Sequence, residues 1–465
     1  MYYKLINDKT KYKLNSIKYL HTFNNIHNIE ILIISSSKEK TIIKLDNLSK
    51  CINLKVLNCS YNYNIVELPD LSNCINLIEL NCSFTNIKKL PNLSKCINLV
   101  KLNFSINSLI ELPDLSNLIN LTYLDCSLIN IPNLPDLSNL INLKELYCKT
   151  NKLTRLPTYL SECKKLQILD FTNNNIKVIP TIMSLKELYC MYNKKIELSN
   201  LTNMINLKKL NCSDNDLTKL PDLPNLSVLN CCSNKFSDLS NVSHFIKLRE
   251  LYCLNNILTI LPDLSNCIKL TKLNCCNNNL TNLPDLSRCI KLKNLSCSFN
   301  NLTNLPDLSK CINLILLACD YNKLSELPNL SNFNKLKFLI CENNKLNEIP
   351  DLSNCVELLN INLNNNNLSK IPNLSGLTEL KYLYCCNNKK LKKLPKLNNC
   401  NNLLDIDYDF NKNIKYDKSI MYCKKFFIYK KYNKYTTLST LSLILNKYIE
   451  YYFYINIMQY YQLYN

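Results

Sequence analysis

The sequence has one glycine, no tryptophan, three histidines and three arginines in 465 residues. Each scarcity removes a class of chemistry. Dinucleotide fingerprints and P-loops need several glycines where backbone closes on phosphate, so a chain whose one glycine is Gly376 has neither. Three scattered histidines leave no basis for imidazole catalysis or a histidine metal site. Arginine reads guanine edges and phosphates bidentately, and Arg155, Arg249 and Arg288 are too few and too dispersed for specific nucleic-acid recognition. Long hydrophobic runs are missing as well. The first residues lack the apolar core of a secretory signal, and the most apolar late stretch, 438–461, is broken by Asn446, Lys447 and Glu450 before it reaches a membrane-spanning length. The expectation is an intracellular, cytoplasmic protein with no transmembrane segment.

What is abundant is asparagine (78), cysteine (26) and lysine, which gives a formal charge of +20. That charge sits mostly at the ends. Residues 1–53 hold nine lysines and four acids, residues 412–465 hold nine lysines and two acids, and the 358 residues between carry a surplus of only 8. Twenty-six cysteines without a secretory signal are expected to be thiols, because disulfides persist chiefly in oxidising compartments.

Aligned on itself, the chain repeats about every 22 residues. Leu54-x-x-Leu57-x-Cys59-x-x-Asn62 recurs as Leu270-x-x-Leu273-x-Cys275-x-x-Asn278-x-Leu280 and as Leu314-x-x-Leu317-x-Cys319-x-x-Asn322-x-Leu324. Seventeen units register between Leu54 and Leu403, at intervals of 22 or 23 residues except two of 19, and a degraded unit opens the series at Ile29, through Leu32 and Ile34. Counting from the first leucine of each unit, positions 3 and 5 share one face of a short strand and positions 2, 4 and 6 the other. Position 5 is cysteine in 13 units and Phe104, Phe171, Leu363 or Tyr408 in the rest, which marks a buried apolar slot. Parallel strands ~4.8 Å apart also hold neighbouring Cβ atoms slightly too far apart for an unstrained disulfide. Nine more cysteines, among them Cys51, Cys74, Cys96, Cys267 and Cys400, fill the inward slot that Leu118 and Leu140 occupy elsewhere.

Position 8 is asparagine in 15 of 17 units, missing at Thr85 and Ile129. An amide donates and accepts at once, so such a column can bond backbone where the chain turns out of the strand. The return segment places apolar residues at every third position, as in Leu68, Leu71, Cys74 and Leu77. Period three suits 3₁₀ or polyproline-like backbone, with Asp70 or Ser72 able to cap a short turn. Proline and asparagine at the bends explain how one glycine suffices.

This pattern resembles the leucine-rich repeat family over residues 29 to about 414. The resemblance implies an α/β-type solenoid, a horseshoe or arc with a concave parallel β-sheet and irregular or 3₁₀ convex segments. The domains then read as a cap at 1–53 with a degenerate repeat from 29, the array at 54–414, and a basic, tyrosine-rich cap or tail at 415–465. Leu220-Pro-Asp-Leu-Pro224 is also similar to repeats of bacterial effectors that carry a cysteine ubiquitin-ligase domain. Those have a separate catalytic domain, for which the 54-residue tail is too short, and residues 1–28 do not resemble an F-box adaptor.

Binding energy should concentrate where the concave positions 2, 4 and 6 are large or apolar, since most of that face is Asn and Ser. Leu316, Ala318, Phe338 and Ile340 are expected to form one exposed apolar patch, with Tyr382 and Tyr384 as an aromatic flank and Asp405, Asp407 and Asp409 as an acidic edge. A second candidate is the recurring carboxylate and phenol of Glu145 and Tyr147, Glu187 and Tyr189, and Glu250 and Tyr252; their units are not neighbours, so a long ligand would be needed to touch all three. Cys232, Cys276 and Cys386 fall at outward position 6 and Cys423 among lysines, where a lowered thiol pKa would make a nucleophile. None has a histidine in view save His244, one unit after Cys232. The expectation is a non-catalytic, monomeric protein-binding module with no cofactor and no metal. The alternatives are electrostatic binding of nucleic acid or anionic membrane through the basic ends, or a substrate-recruiting arm of a ubiquitin-ligase complex.

Overall fold

The computed structural model describes residues 2–5, 12–13, 26–34, 45–411 and 414. The chain falls into two compact units, Met1–Leu324 and Ser325–Asn465. In the first, β1 (Tyr2–Leu5) pairs antiparallel with β2 (Tyr12–Lys13) and with β3 (Ile29–Ile33). From β3 onward each strand lies parallel to the next, through β4 (Val56–Asn58) and one three-residue strand per unit to β16 (Leu316–Ala318). The second unit repeats the pattern in β17 (Phe338–Ile340), β18 (Asn360–Asn362), β19 (Tyr382–Tyr384) and β20 (Asp405–Asp407).

Within each unit the parallel register holds from rung to rung, because the strand's central leucine or isoleucine meets its counterpart: Leu57 faces Leu80, Leu80 faces Leu102 and Ile361 faces Leu383. A slip of one residue would turn these leucines to the open face. Leu54, Leu57, Cys59, Leu71, Cys74 and Leu77 are each 0% exposed, so one unit contributes inward residues from both the strand and the return. Ile29, Leu32 and Ile34 occupy the same core at the start of the first unit. The 25 described cysteines are all thiols outside any disulfide, and all but Cys276 and Cys386 are buried.

Return segments close through period-three hydrogen bonds, as the amides of Cys74 and Leu77 donate to the carbonyls of Leu71 (2.8 Å) and Cys74 (3.0 Å). Full 3₁₀ turns form at Thr158–Glu162, Ser199–Asn203 and Ser240–His244. Asp70 caps as expected: its carboxylate accepts the Ser72 amide at 2.9 Å and hydroxyl at 2.7 Å, and these bonds hold it below the usual carboxylate range.

The asparagine column forms a hydrogen-bonded spine along each unit of the chain, interrupted at Ile129. Asn278 Nδ2 donates to the Cys275 carbonyl of its own rung (3.1 Å) and the Cys253 carbonyl of the rung before (3.0 Å), while its Oδ1 accepts the Leu258 amide (3.0 Å). Where threonine intervenes, the Thr85 hydroxyl still reaches the Cys82 carbonyl at 2.9 Å.

One bend escaped the sequence reading. Position 7 adopts positive φ in every unit, and only seven of the seventeen are Asn or Asp; the rest include Tyr61, Phe84, Phe299 and even the β-branched Ile106 (φ 54°) and Thr150 (φ 50°). The left-handed region is costly for such residues, so the closed turn must impose it. Gly376 is not among them. The column's aromatic members stack rung on rung, Tyr61 on Phe84 at 4.5 Å and Phe299 on Tyr321 at 4.2 Å.

Candidate binding surface

Acidic and aromatic outward side chains of the first unit stand on four consecutive strands, β7 (Tyr123–Asp125), β8 (Glu145–Tyr147), β9 (Ile168–Asp170) and β10 (Glu187–Tyr189). Parallel register lines up Asp125, Tyr147, Asp170 and Tyr189 as one row and Tyr123, Glu145, Ile168 and Glu187 as the next. Neighbours in a row stand ~4.8 Å apart. Carboxylate and phenol therefore alternate across the sheet.

Each expected Glu and Tyr pair is joined by a hydrogen bond from the phenol: Tyr147 to Glu145 Oε2 at 3.0 Å, Tyr189 to Glu187 Oε2 at 2.8 Å and Tyr252 to Glu250 Oε2 at 2.7 Å. The first two pairs lie closer than their sequence separation implied, because only β9 separates them and it presents Asp170 between the two phenols. The third, on β13 (Glu250–Tyr252), is set apart by β11 (Lys209–Asn211) and β12 (Val228–Asn230). Tyr123 packs its ring 5.4 Å from that of Tyr147, and Lys149 Nζ stands 5.8 Å from the centre of the Tyr147 ring and 3.6 Å from Asp170 Oδ2.

Electrostatically this is an acidic and aromatic cluster. Asp170 is only 7% exposed. Burial raises its carboxyl above the usual range, against the lowering by Lys149, and the Asp125 charge raises it further. Burial likewise raises Asp125, partly offset by Ser127 and Lys149. The phenols of Tyr123, Tyr147 and Tyr189 are pushed up by burial first and then by the carboxylates beside them. Sequence reading missed Tyr123, Asp125, Lys149 and Asp170. Their signal is visible only down a column: position 4 reads Asn58, Asn81, Asn103, Asp125, Tyr147, Asp170, Tyr189, Asn211.

The apolar patch expected elsewhere on this face is not exposed. Leu316 and Ala318 are each 8% exposed, Ile340 is 3% and Tyr384 is 9%, leaving only Phe338 and Tyr382 half-buried. Exposure on a parallel ladder depends on the flanking rungs: Asn294 and Ser296 stand beside Leu316 and Ala318, while Asn362 stands between Ile340 and Tyr384. Leu316 and Ala318 also belong to the first unit and Phe338 and Ile340 to the second. Within the second unit, Tyr384 donates to Asp405 Oδ2 at 3.2 Å and stacks at 6.3 Å from Tyr382.

None of the three outward thiols among the described residues has the lowered pKa that would make a nucleophile. Burial pushes Cys276 up to about 12, and burial followed by a neighbouring carboxylate or thiol raises Cys232 and Cys386. Their charged neighbours are Asp214, Asp320 and Asp407 rather than cations. Cys423 and the whole basic segment 415–465 lie outside the described residues. Among the described residues no group of His, Cys, Asp or Glu could hold a metal ion, and no helix is long and apolar enough to cross a membrane.

No family model and no curated relative matches the sequence. Solved structures do. The functional domain of InlJ from Listeria monocytogenes, which includes a cysteine ladder, is 33% identical over 63% of this chain and 64% of its own, at a TM-score of 0.58, so the chain spans less than two thirds of that relative. The LRR protein LIC12759 from Leptospira interrogans is 25% identical over 80% of this chain and 98% of its own, at 0.62. The plant peptide hormone receptor RGFR1, in complex with RGF2, shares the fold at 22% identity over 83% of this chain and 75% of its own, at 0.60. With 17 registered units each folded as a parallel rung, the chain is a leucine-rich-repeat solenoid.

Proposed function

We propose that this chain is a non-catalytic protein-interaction module whose open sheet face, at β7 to β10, takes a lysine- or arginine-bearing segment of a partner protein. One observation carries the reading. Asp125 and Asp170 stand in a column where nearby rungs carry asparagine, and make the same turn bond that asparagine makes: Asn103 Oδ1 takes the Ser105 amide at 3.0 Å, and Asp125 and Asp170 take those of Ser127 and Thr172 at the same 3.0 Å. The charge is therefore surplus to the fold, and burial disfavours it. Four carboxylates against two lysines, Lys149 beside Asp170 and Lys209 paired with Glu187 at 2.8 Å, in a chain of net charge +20 and with phenols beside them, suit a cationic side chain approaching over aromatic rings.

The RGFR1 complex supports binding of a peptide on such a scaffold. The thiols outside any disulfide favour a reducing, intracellular setting. The test is affinity capture from the native cell with the wild type beside an Asp125→Asn, Asp170→Asn double variant. Partners held by the wild type and lost from the variant, recovered through basic segments, support the reading; equal retention of every partner would overturn it.

A further inference from the structure

The first unit carries a second feature of opposite charge. The return segment Leu220-Pro-Asp-Leu-Pro-Asn-Leu226 is three residues shorter than the neighbouring Leu261 to Leu270, and Pro224 takes the place of the exposed isoleucine that Ile205 and Ile246 present in flanking units. At this notch lies an open cleft of about 530 Å³, with Lys208, Asn225, Ser227, Lys247, Arg249 and Lys269 on its walls.

Four cations and no carboxylate line it. Elsewhere among the described residues, lysines pair with carboxylates nine times, yet none of these four does. Lys247 is held at the wall by its bond to Asn225 Oδ1 at 2.6 Å. Arg249 is rooted in the ladder, its amide donating to the Ser227 carbonyl at 2.8 Å and its carbonyl accepting the Thr271 amide at 2.7 Å. The Ser227 hydroxyl is spent on the Lys208 carbonyl at 3.0 Å. The charged donors that face the cleft are the four cationic heads. Like charges gathered without counter-charge repel one another, and an anion with several charges relieves them together. Arginine adds a planar fork that matches phosphate oxygens, and the volume falls in the range of small-molecule clefts.

We propose that this cleft binds a compact free oligophosphate, a small molecule carrying two or more phosphate groups. Calorimetric titration of the full chain with inorganic triphosphate should show saturable one-to-one binding. Lys247→Ala and Arg249→Ala should each weaken it about tenfold or more, with melting curves unchanged because both side chains are exposed. Lys95→Ala, an exposed lysine of a distant unit, should bind as the wild type does. Absence of saturable binding, or equal weakening by Lys95→Ala, overturns the proposal. So does a chain that sediments with anionic vesicles while ignoring triphosphate, which would make a lipid surface the ligand. The Asp125→Asn, Asp170→Asn variant should keep full triphosphate affinity, so this site and the partner-binding face fail or stand separately.

Discussion

Replacing Asp125 or Asp170 by asparagine should make the protein more stable while making it a poorer binder. Asparagine keeps the bond that shapes the turn, since Asn58 and Asn81 already accept the amides of Ser60 and Ser83 at 3.1 Å from the same column position. What it removes is a charge that burial disfavours. In the unfolded chain these carboxyls titrate near about 3.9; in the fold they titrate higher. Native protein thus holds a proton that unfolded protein has already released, and stability present below the unfolded pKa is lost as pH rises through the folded one. Each substitution should recover about 0.5–2 kcal/mol at neutral pH, the usual yield of restoring a repeat consensus. Asp125 should give the larger gain, because Asp170→Asn also forfeits the direct 3.6 Å pair with Lys149, worth about 0.5 kcal/mol with the lysine end partly exposed to solvent. The two carboxylates raise one another, so the double variant should gain less than the sum of the singles. Urea midpoints at neutral pH and near pH ~3 decide the matter. A loss of stability at neutral pH, or a gain that persists undiminished in acid, would show that the fold needs these charges and would refute the reasoning.

The asparagine spine makes a sharper structural claim. Asn278→Ala leaves the Leu258 amide with no acceptor and takes one of two donors from the Cys253 carbonyl, which keeps Asn256, and from the Cys275 carbonyl, which keeps Asn300. The cost should be about 2–4 kcal/mol, read as faster hydrogen exchange at Leu258, with Asn278→Thr recovering only the carbonyl bond that Thr85 makes to Cys82. Thiol alkylation should separate two classes at mildly alkaline pH: Cys59, buried and pushed up to about 12, stays unmodified until the chain unfolds, whereas half-buried Cys276 reacts slowly in the native state. Rapid native labelling of Cys59, counted by mass spectrometry, would contradict a closed core.

Much of the fold was legible because each inward position answers to one solvent rule. Leu57 and Cys59 alternate with surface residues at the strand period, and Leu68, Leu71, Cys74 and Leu77 keep a period of three, so burial follows from spacing alone. Position 7 was not legible for the opposite reason. Tyr61, Phe84, Ile106 and Thr150 share no chemistry that favours positive φ; the turn dictates the backbone and the side chain tolerates it. Exposure on the open face failed differently. Leu316 looks like a surface residue within its own unit, yet it is buried on a ladder where its neighbour on the preceding rung, Asn294, lies 22 residues away in sequence.

The same geometry says how such a chain should be searched for function. A repeat that satisfies its own turns fills each column with the residue the turn requires, so a functional residue appears as a departure from its column rather than as a motif along the chain. Asp125 and Asp170 are departures of identity, changing an acceptor into a charge without changing the bond it accepts. The segment ending at Leu226 is a departure of length, and it coincides with the basic cleft. Both cost the array regularity and neither repairs a turn. Features that burden the fold and do nothing for it are where binding chemistry is best sought, and here that criterion selects a negative face and a positive notch on one unit. A chain with only one of them could be read by charge alone; with both, the net +20 conceals each site from any composition-level argument.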